Sequence, residues 1–343
     1  MLRTGILGCG SIAEARHGKE IFENKHCELK ACYDPIAKRA RDLAKKFGGK
    51  AVSSVEAVIM DPDIDAIIVC TPNKYHAPYS IMALEAKKHV LCEKPMAVSL
   101  QEAGNMIKAA EKNDRKLMIG HNQRLVPAHK KAREIIHSGK LGKILTFSTT
   151  FGHGGAEKWS MTKGPDTWFF NREEAVVGAM GDLGVHKTDL MRWLLNEEFC
   201  EARAFTATLD KKYKNDKPID VDDNALCILR TPSGITGTLT VSWTYYGGGD
   251  NSTIIHGEKG ALRIFANPKW PIEIFYADKK VERIAAGTIQ TNEKQTHSGV
   301  MDLFVDSVLN DKPVEISGHE GYKALEIILA CMESSAKGTT VKF

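Results

Sequence analysis

A largely apolar stretch at 178–195, GAMGDLGVHKTDLMRWLL, carries Asp182, His186 and Asp189. The leucines, methionines and tryptophan recur at a spacing that predicts a helix with a buried face. Asp182 and His186 are four residues apart, which would stack a carboxylate and an imidazole on one side of that helix. Near neutral pH an imidazole can take the proton of an alcohol, and a carboxylate one turn away can steady its cationic form. The same carboxylate can instead bind substrate hydroxyls. A core histidine satisfied by its neighbour would use the same two residues, so the pair alone does not decide. Asp189 either orients the imidazole from its other side or is a solvated or capping group. The pair lacks a third imidazole or thiolate at a supporting spacing, and no metal is expected.

The elements that would position this chemistry begin at the N-terminus. A short apolar strand, TGIL, runs into GCGSIA, a G-x-G-x-x-A turn with a helix expected over 12–22. Gly8 permits the tight turn, and Gly10 lets backbone approach a pyrophosphate. Ala13, where a third glycine often stands, lets the helix pack closely. The N–H groups at Ser11 and Ile12 then face the phosphates. LKACYD is a second strand ending in Asp34, 21 residues beyond Ala13, placed to accept from a ribose diol and to repel a 2′-phosphate. NAD is therefore expected, with NADP admitted by the nearby Lys38 and Arg39. Asp34 also suits a turn or cap before Pro35. KAVS is a weak third strand. Ser53 and Glu56, like Ser99 and Glu102, are spaced as capping boxes. DAIIVCTP, HVLCEKP and KLMIGHN complete six strands alternating with helices, the rhythm of a doubly wound parallel sheet. In such sheets ligands lie beyond the carboxyl ends of the strands. That assigns Thr71, Pro72, Asn73 and His76 to the nicotinamide side, and Glu93 and Lys94 to the cofactor's reactive end. A lysine there can hold a hydroxyl and favour loss of its proton.

GILGCGSIA, CTPNKYH, EKP and GDLGVHKTDLMRWL, in that order, resemble the Gfo/Idh/MocA family of nicotinamide-dependent sugar and cyclitol oxidoreductases. HGEKGALRI and ILACMESSAKGTTVKF resemble its late sheet strand and its closing helix and strand. The resemblance implies an α/β chain in two parts, with an N-terminal Rossmann domain expected over 1–121. A C-terminal α/β domain with a large, mostly antiparallel sheet is expected over 122–343. It carries the catalytic roles onto Lys94, Asp182 and His186, and it implies hydride transfer between nicotinamide and a secondary hydroxyl of a sugar, glycoside or inositol. The stretch EEAVVGAMGDLG is less glycine-rich than in many relatives, which touches the shape of the substrate side.

The second part should set specificity. GHNQRL crosses between the lobes, so Asn122 and Arg124 are expected to touch nicotinamide, and Arg124 also substrate. FGHGGAEKW reads as a glycine-rich loop whose His153, Lys158 and Trp159 wall the substrate, and Trp168 suits the apolar face of a sugar ring. Strands then dominate. Their apolar–polar alternation predicts a sheet covered on one face, the other being buried by a second copy in a homodimer or homotetramer. The net charge of +4 is spread without a long basic run, which argues against nucleic acid. No apolar run approaches the length of a membrane span, and no signal peptide is read, so a cytoplasmic protein is expected. The eight scattered cysteines fit a reducing compartment. Three other readings share parts of this pattern: a glycosidase that oxidises and re-reduces with retained NAD, a non-catalytic dinucleotide-binding regulator, and a methyltransferase.

Overall fold

Short, fully buried runs such as AIIV at 66–69 form strands because their β-branched side chains fill both faces of a covered sheet. The structure, a computed structural model, describes residues 1–287 and 296–343. The first sheet contains β1 (Leu2–Leu7), β2 (Cys27–Tyr33), β3 (Lys50–Ala51), β4 (Ala66–Val69), β5 (His89–Cys92) and β6 (Leu117–Ile119). Its order is β3-β2-β1-β4-β5-β6, all pairs parallel. The strand order reverses between β1 and β4, and the ligand crevice of such a sheet opens at that point. One capping assignment shifts. Ser54, not Ser53, caps the helix Val55–Ile59, its hydroxyl accepting from Ala57 N at 3.1 Å. The second box forms nearly as expected. Ser99 accepts from Glu102 N at 3.2 Å, while the Glu102 carboxylate reaches Val98 N rather than the cap.

The second sheet has nine strands: β7 (Ile144–Gly152), β8 (Glu201–Ala207), β9 (Asn224–Arg230), β10 (Thr236–Ser242), β11 (Thr253–Gly257), β12 (Gly260–Ile264), β13 (Ile272–Tyr276), β14 (Val281–Ile284) and β15 (Val341–Lys342). Their order is β14-β13-β12-β11-β7-β10-β9-β8-β15, antiparallel except for the parallel pair β7–β10. β7 lies at the centre, yet its residues 144–150 show no clean apolar–polar alternation in the sequence. Threonines and a serine on both faces hide the alternation, and the inward Thr149 is satisfied by Thr253 Oγ1 at 2.7 Å. The inner face packs on the helices Val185–Leu195 and Gly318–Lys337. On the outer face Phe205, Leu226 and Ile228 stand together, each more than half exposed.

The chain finally returns to the first lobe. Val300, Met301, Phe304 and Val305, from the helix Val300–Leu309, join the core under the parallel sheet, as do Ile316 and Leu325. Glu20, buried on the first helix, accepts from Ser298 Oγ at 2.7 Å and Met301 N at 3.3 Å and so fastens this return. The first lobe is therefore not built from residues 1–121 alone. Among the described residues no helix is long and apolar enough to cross a membrane.

Candidate active site

Gly8 sits at φ +86°, and a Cβ there would lie 2.7 Å from the Cys70 backbone, so the turn after β1 admits only glycine. Gly10 opens instead onto free space, the approach a bulky phosphate group needs. The helix that follows begins with a wide π-turn, Ala13–His17, before the α-helix Gly18–Glu23. Asp34, 7% exposed, accepts from Cys9 N and from Ile36 N, both at 2.8 Å. It thus locks the glycine loop to the end of β2 and also makes the turn anticipated before Pro35. The backbone shape, the open Gly10 and this carboxylate fit a dinucleotide. Ser11 Oγ meets Trp159 O at 3.5 Å, so the second lobe reaches over the loop.

Beyond β4 and β5 the polar residues divide between lining the crevice and building its walls. Ile12, Thr71, Asn73, His76, Glu93, Lys94 and Asn122 all line it. The ring nitrogens of His76 are nevertheless occupied by Pro95 O at 2.7 Å and Thr71 O at 2.8 Å, so His76 ties the two loops together. Pro72 starts the turn in which Asn73 binds Ala175 O at 2.8 Å. Glu93 does not extend toward a ligand. It meets His17 Nε2 at 2.7 Å and Arg16 at 3.5 Å beneath the first helix. Burial opposes its charge, but His17, Arg16 and Lys94 outweigh burial and hold the carboxyl down at about 2. Its place is explained by His17 and Arg16, which the sequence sets 76 and 77 residues away.

Lys94 crosses between the lobes. Its ammonium donates to Asp182 Oδ1 at 3.0 Å and to the Asp182 backbone oxygen at 2.9 Å, leaving one N–H for a ligand. Trp243 Nε1 donates to the other carboxylate oxygen at 3.2 Å. Asp182 is therefore Lys94's partner, which corrects the expectation that it orients His186. Residues Met180–Gly184 form a π-turn, and this wider turn breaks the i, i+4 stacking assumed for an α-helix. His186 follows in the helix Val185–Leu195 and lines the same crevice, against Phe151 at 5.8 Å between ring centroids. Its Nδ1 is buried with no hydrogen-bond partner among the described residues. Burial, then the charges of Lys94, His121, Arg16 and Lys187, push its pKa well below 6.5 and favour the neutral imidazole.

Asp222 is a further positioning residue that the sequence did not single out. Its carboxylate caps the π-turn by accepting from Gly178 N at 2.9 Å and Met180 N at 2.7 Å. A Cβ at Gly178 would lie 1.9 Å from Asp222 O, which explains that glycine. Burial raises Asp222 to about 6. Trp243, fully buried, reads in sequence as ordinary core, since nothing local marks its N–H as Asp182's donor.

Three expected residues lie elsewhere. Arg124 forms a bidentate pair with Asp189, at 2.8 and 2.5 Å, and reaches Glu320; it lies outside the crevice lining. Asp189 is consequently neither a solvated group nor a support for His186, because a buried carboxylate takes the strongest available cation. His153 accepts from Gly155 N at 3.0 Å and stacks edgewise between Phe151 and Trp159, behind the crevice wall. Lys158 is exposed, over the Tyr246 ring at 5.0 Å. Trp168 does line the crevice, stacked on Phe169 at 3.8 Å, and with Phe151 and Trp159 forms an aromatic wall.

With this geometry in hand, comparisons with known proteins are specific. Residues 2–121 match the family model described as oxidoreductase family, NAD-binding Rossmann fold, and residues 129–263 match the GFO/IDH/MocA C-terminal domain. The chain is 30% identical over 266 residues to the 1,5-anhydro-D-fructose reductase of Ensifer adhaerens, covering 76% of this chain and 75% of that one. It is 29% identical over 344 residues to the myo-inositol 2-dehydrogenase of Thermotoga maritima, covering 99% and 98%. Among solved structures, a levoglucosan dehydrogenase in complex with NADH and levoglucosan superposes with a TM-score of 0.85 at 25% identity, over 99% and 98% of the two chains.

Proposed function

Because the chain belongs to the Gfo/Idh/MocA family of oxidoreductases, we propose that its crevice oxidises one secondary hydroxyl of a cyclic sugar, glycoside or inositol, or reduces the matching ketone. The observation that carries this reading is the ammonium of Lys94, fixed by Asp182 of the opposite lobe, in one crevice with the imidazole of His186. NAD held over Gly8, Gly10 and Asp34 supplies the acceptor for the hydride. Lys94 directs its remaining N–H at the substrate oxygen and stabilises the charge that develops there. His186 takes the hydroxyl proton. Asp182 holds Lys94 in register across the cleft, and the aromatic wall of Phe151, Trp159 and Trp168 favours the C–H face of a ring. A panel of sugars, glycosides and inositols with NAD, followed by NADH absorbance, tests the assignment; no oxidation of any cyclic polyol, with NAD bound, would overturn it. An intact Lys94, Asp182 and His186 disfavours a purely regulatory role.

The ribose contact of Asp34 predicts cofactor choice. Asp34→Ser should raise the NADP-to-NAD ratio of kcat/KM by at least about fivefold, since like charges a few ångströms apart in a partly screened site cost about 1–4 kcal/mol. An unchanged ratio would count against the contact.

The outer sheet face favours pairing with a second copy. Phe205 lies opposite Leu226 in the β8–β9 register, and a solvated patch of this kind is uncommon on a monomer. Leu226→Glu should therefore shift the sedimentation of a dimer or tetramer toward smaller species, while a variant sedimenting like wild type would refute this face as the interface. All eight cysteines are free, which favours a reducing, cytosolic setting.

A further inference from the structure

Beside the crevice, and sharing Phe151 with it, lies a second hollow of about 320 Å³ that the proposed reaction does not use. Its lining combines apolar surfaces from Phe265, Pro268 and Pro271 with the polar side chains of His153, Asp250 and Asn251. The side-chain nitrogen and oxygen of Asn251 are both buried without a partner among the described residues, and so is His153 Nε2. Buried polar groups are normally paired, so three unpaired ones around one hollow call for a ligand or water that supplies hydrogen bonds.

The lining also defines the chemistry of that ligand. Asn251 offers a donor and an acceptor side by side, as two neighbouring hydroxyls require. The proline and phenylalanine surfaces suit the C–H face of a saturated ring. Asp250 disfavours an anion. The nearby cation, Lys187, is fully buried and spends its ammonium on Asn251 O at 3.1 Å, and on Ser252 O and Thr253 Oγ1 at 3.4 Å. Lys187 follows His186 directly, so the helix that carries the base also fixes the backbone that presents Asn251. This coupling gives the hollow a set position relative to the reacting hydroxyl.

We propose that the hollow is a second carbohydrate subsite, receiving the sugar ring of a glycoside or disaccharide that is not being oxidised. The proposal rests on the dehydrogenase reading above and narrows its substrate class to glycosides that extend beyond one ring.

Calorimetry on the NADH-loaded enzyme, in which no oxidation can occur, compares cellobiose with methyl β-glucoside and maltose with methyl α-glucoside. At least one disaccharide should bind about tenfold or more tightly than its methyl glucoside, a difference of ~1.4 kcal/mol. Asn251→Leu should remove most of that advantage, weakening the disaccharide more than the methyl glucoside. Equal affinity within both wild-type pairs, failure to bind either disaccharide, or an advantage that survives in Asn251→Leu would each overturn the subsite. The wild-type comparison stands without any variant. A disaccharide preference in calorimetry, together with no NADH formation when the same sugars are mixed with NAD-loaded enzyme, would sink the dehydrogenase reading and leave the subsite standing.

Discussion

Lys94→Ala should lower kcat by about 10²–10⁴-fold, the range spanned by a positioned proton-transfer or charge-stabilising group, while the Kd for NAD moves only a few-fold. The Gly8 turn and Asp34, the proposed cofactor platform, make no hydrogen bond to Lys94; its ammonium points across the cleft to Asp182 instead. The substitution should also weaken the fold. The Lys94 and Asp182 side chains are only 14% and 7% exposed, and removing the lysine leaves a buried carboxylate with Trp243 as its sole side-chain donor among the described residues. Breaking such a pair costs about 3–5 kcal/mol when burial is complete, and less here because the lysine retains some solvent. Adding Asp182→Asn removes the stranded charge. The double variant should recover much of the lost melting temperature but none of the turnover. Recovery of turnover in the double variant would show that Lys94 acts only by holding the lobes together, and a near wild-type kcat in Lys94→Ala would remove the lysine from the reaction.

This division between scaffold and chemistry explains what could be read from the sequence. The Rossmann lobe is legible because each of its signals is local. β1, the glycine turn and Asp34 lie within 34 residues of the N-terminus, and their spacing is fixed by the backbone path itself. The two ends of the crevice, EKP and D-x-x-x-H, were also found, since a strand terminus and a helix face are local features. What could not be read was which ionisable group each residue would meet. Glu93 has the right position for a ligand contact but finds His17 and Arg16 first. Arg124 sits at the interlobe crossing, yet Asp189, 65 residues later, claims both arms of its guanidinium. Asp182 and His186 would stack on a regular α-helix, but the π-turn at Met180–Gly184 arises from tertiary demands. Asp222 holds its N-terminal end, and Gly178 lets the two backbones touch. β7 escaped notice for a related reason: its inward Thr149 is tolerated only because Thr253 arrives from a strand more than 100 residues away.

His186→Ala should reduce kcat by a similar factor of about 10²–10⁴, and the pH profile separates its role from that of Lys94. A general base works in its neutral form, so the wild-type rate should fall as pH drops through the His186 pKa and stay level above it. Burial and the neighbouring cations place that pKa well below 6.5, which moves the acid limb of kcat/KM below the usual histidine range. In His186→Ala this limb should vanish, leaving a low rate with no titration in the region. Lys94 heads the charges that depress His186, after burial itself. The residual activity of Lys94→Ala should therefore show its acid limb at higher pH than wild type. The same shift has a consequence for stability. The unfolded imidazole accepts a proton near 6.5 while the folded one resists it, so the contribution of this residue to stability is complete above 6.5 and declines as pH falls toward the lower, folded value. His186→Ala should flatten that part of the stability curve. An acid limb that persists unchanged in His186→Ala would assign the titration to another group and exclude the imidazole as the base.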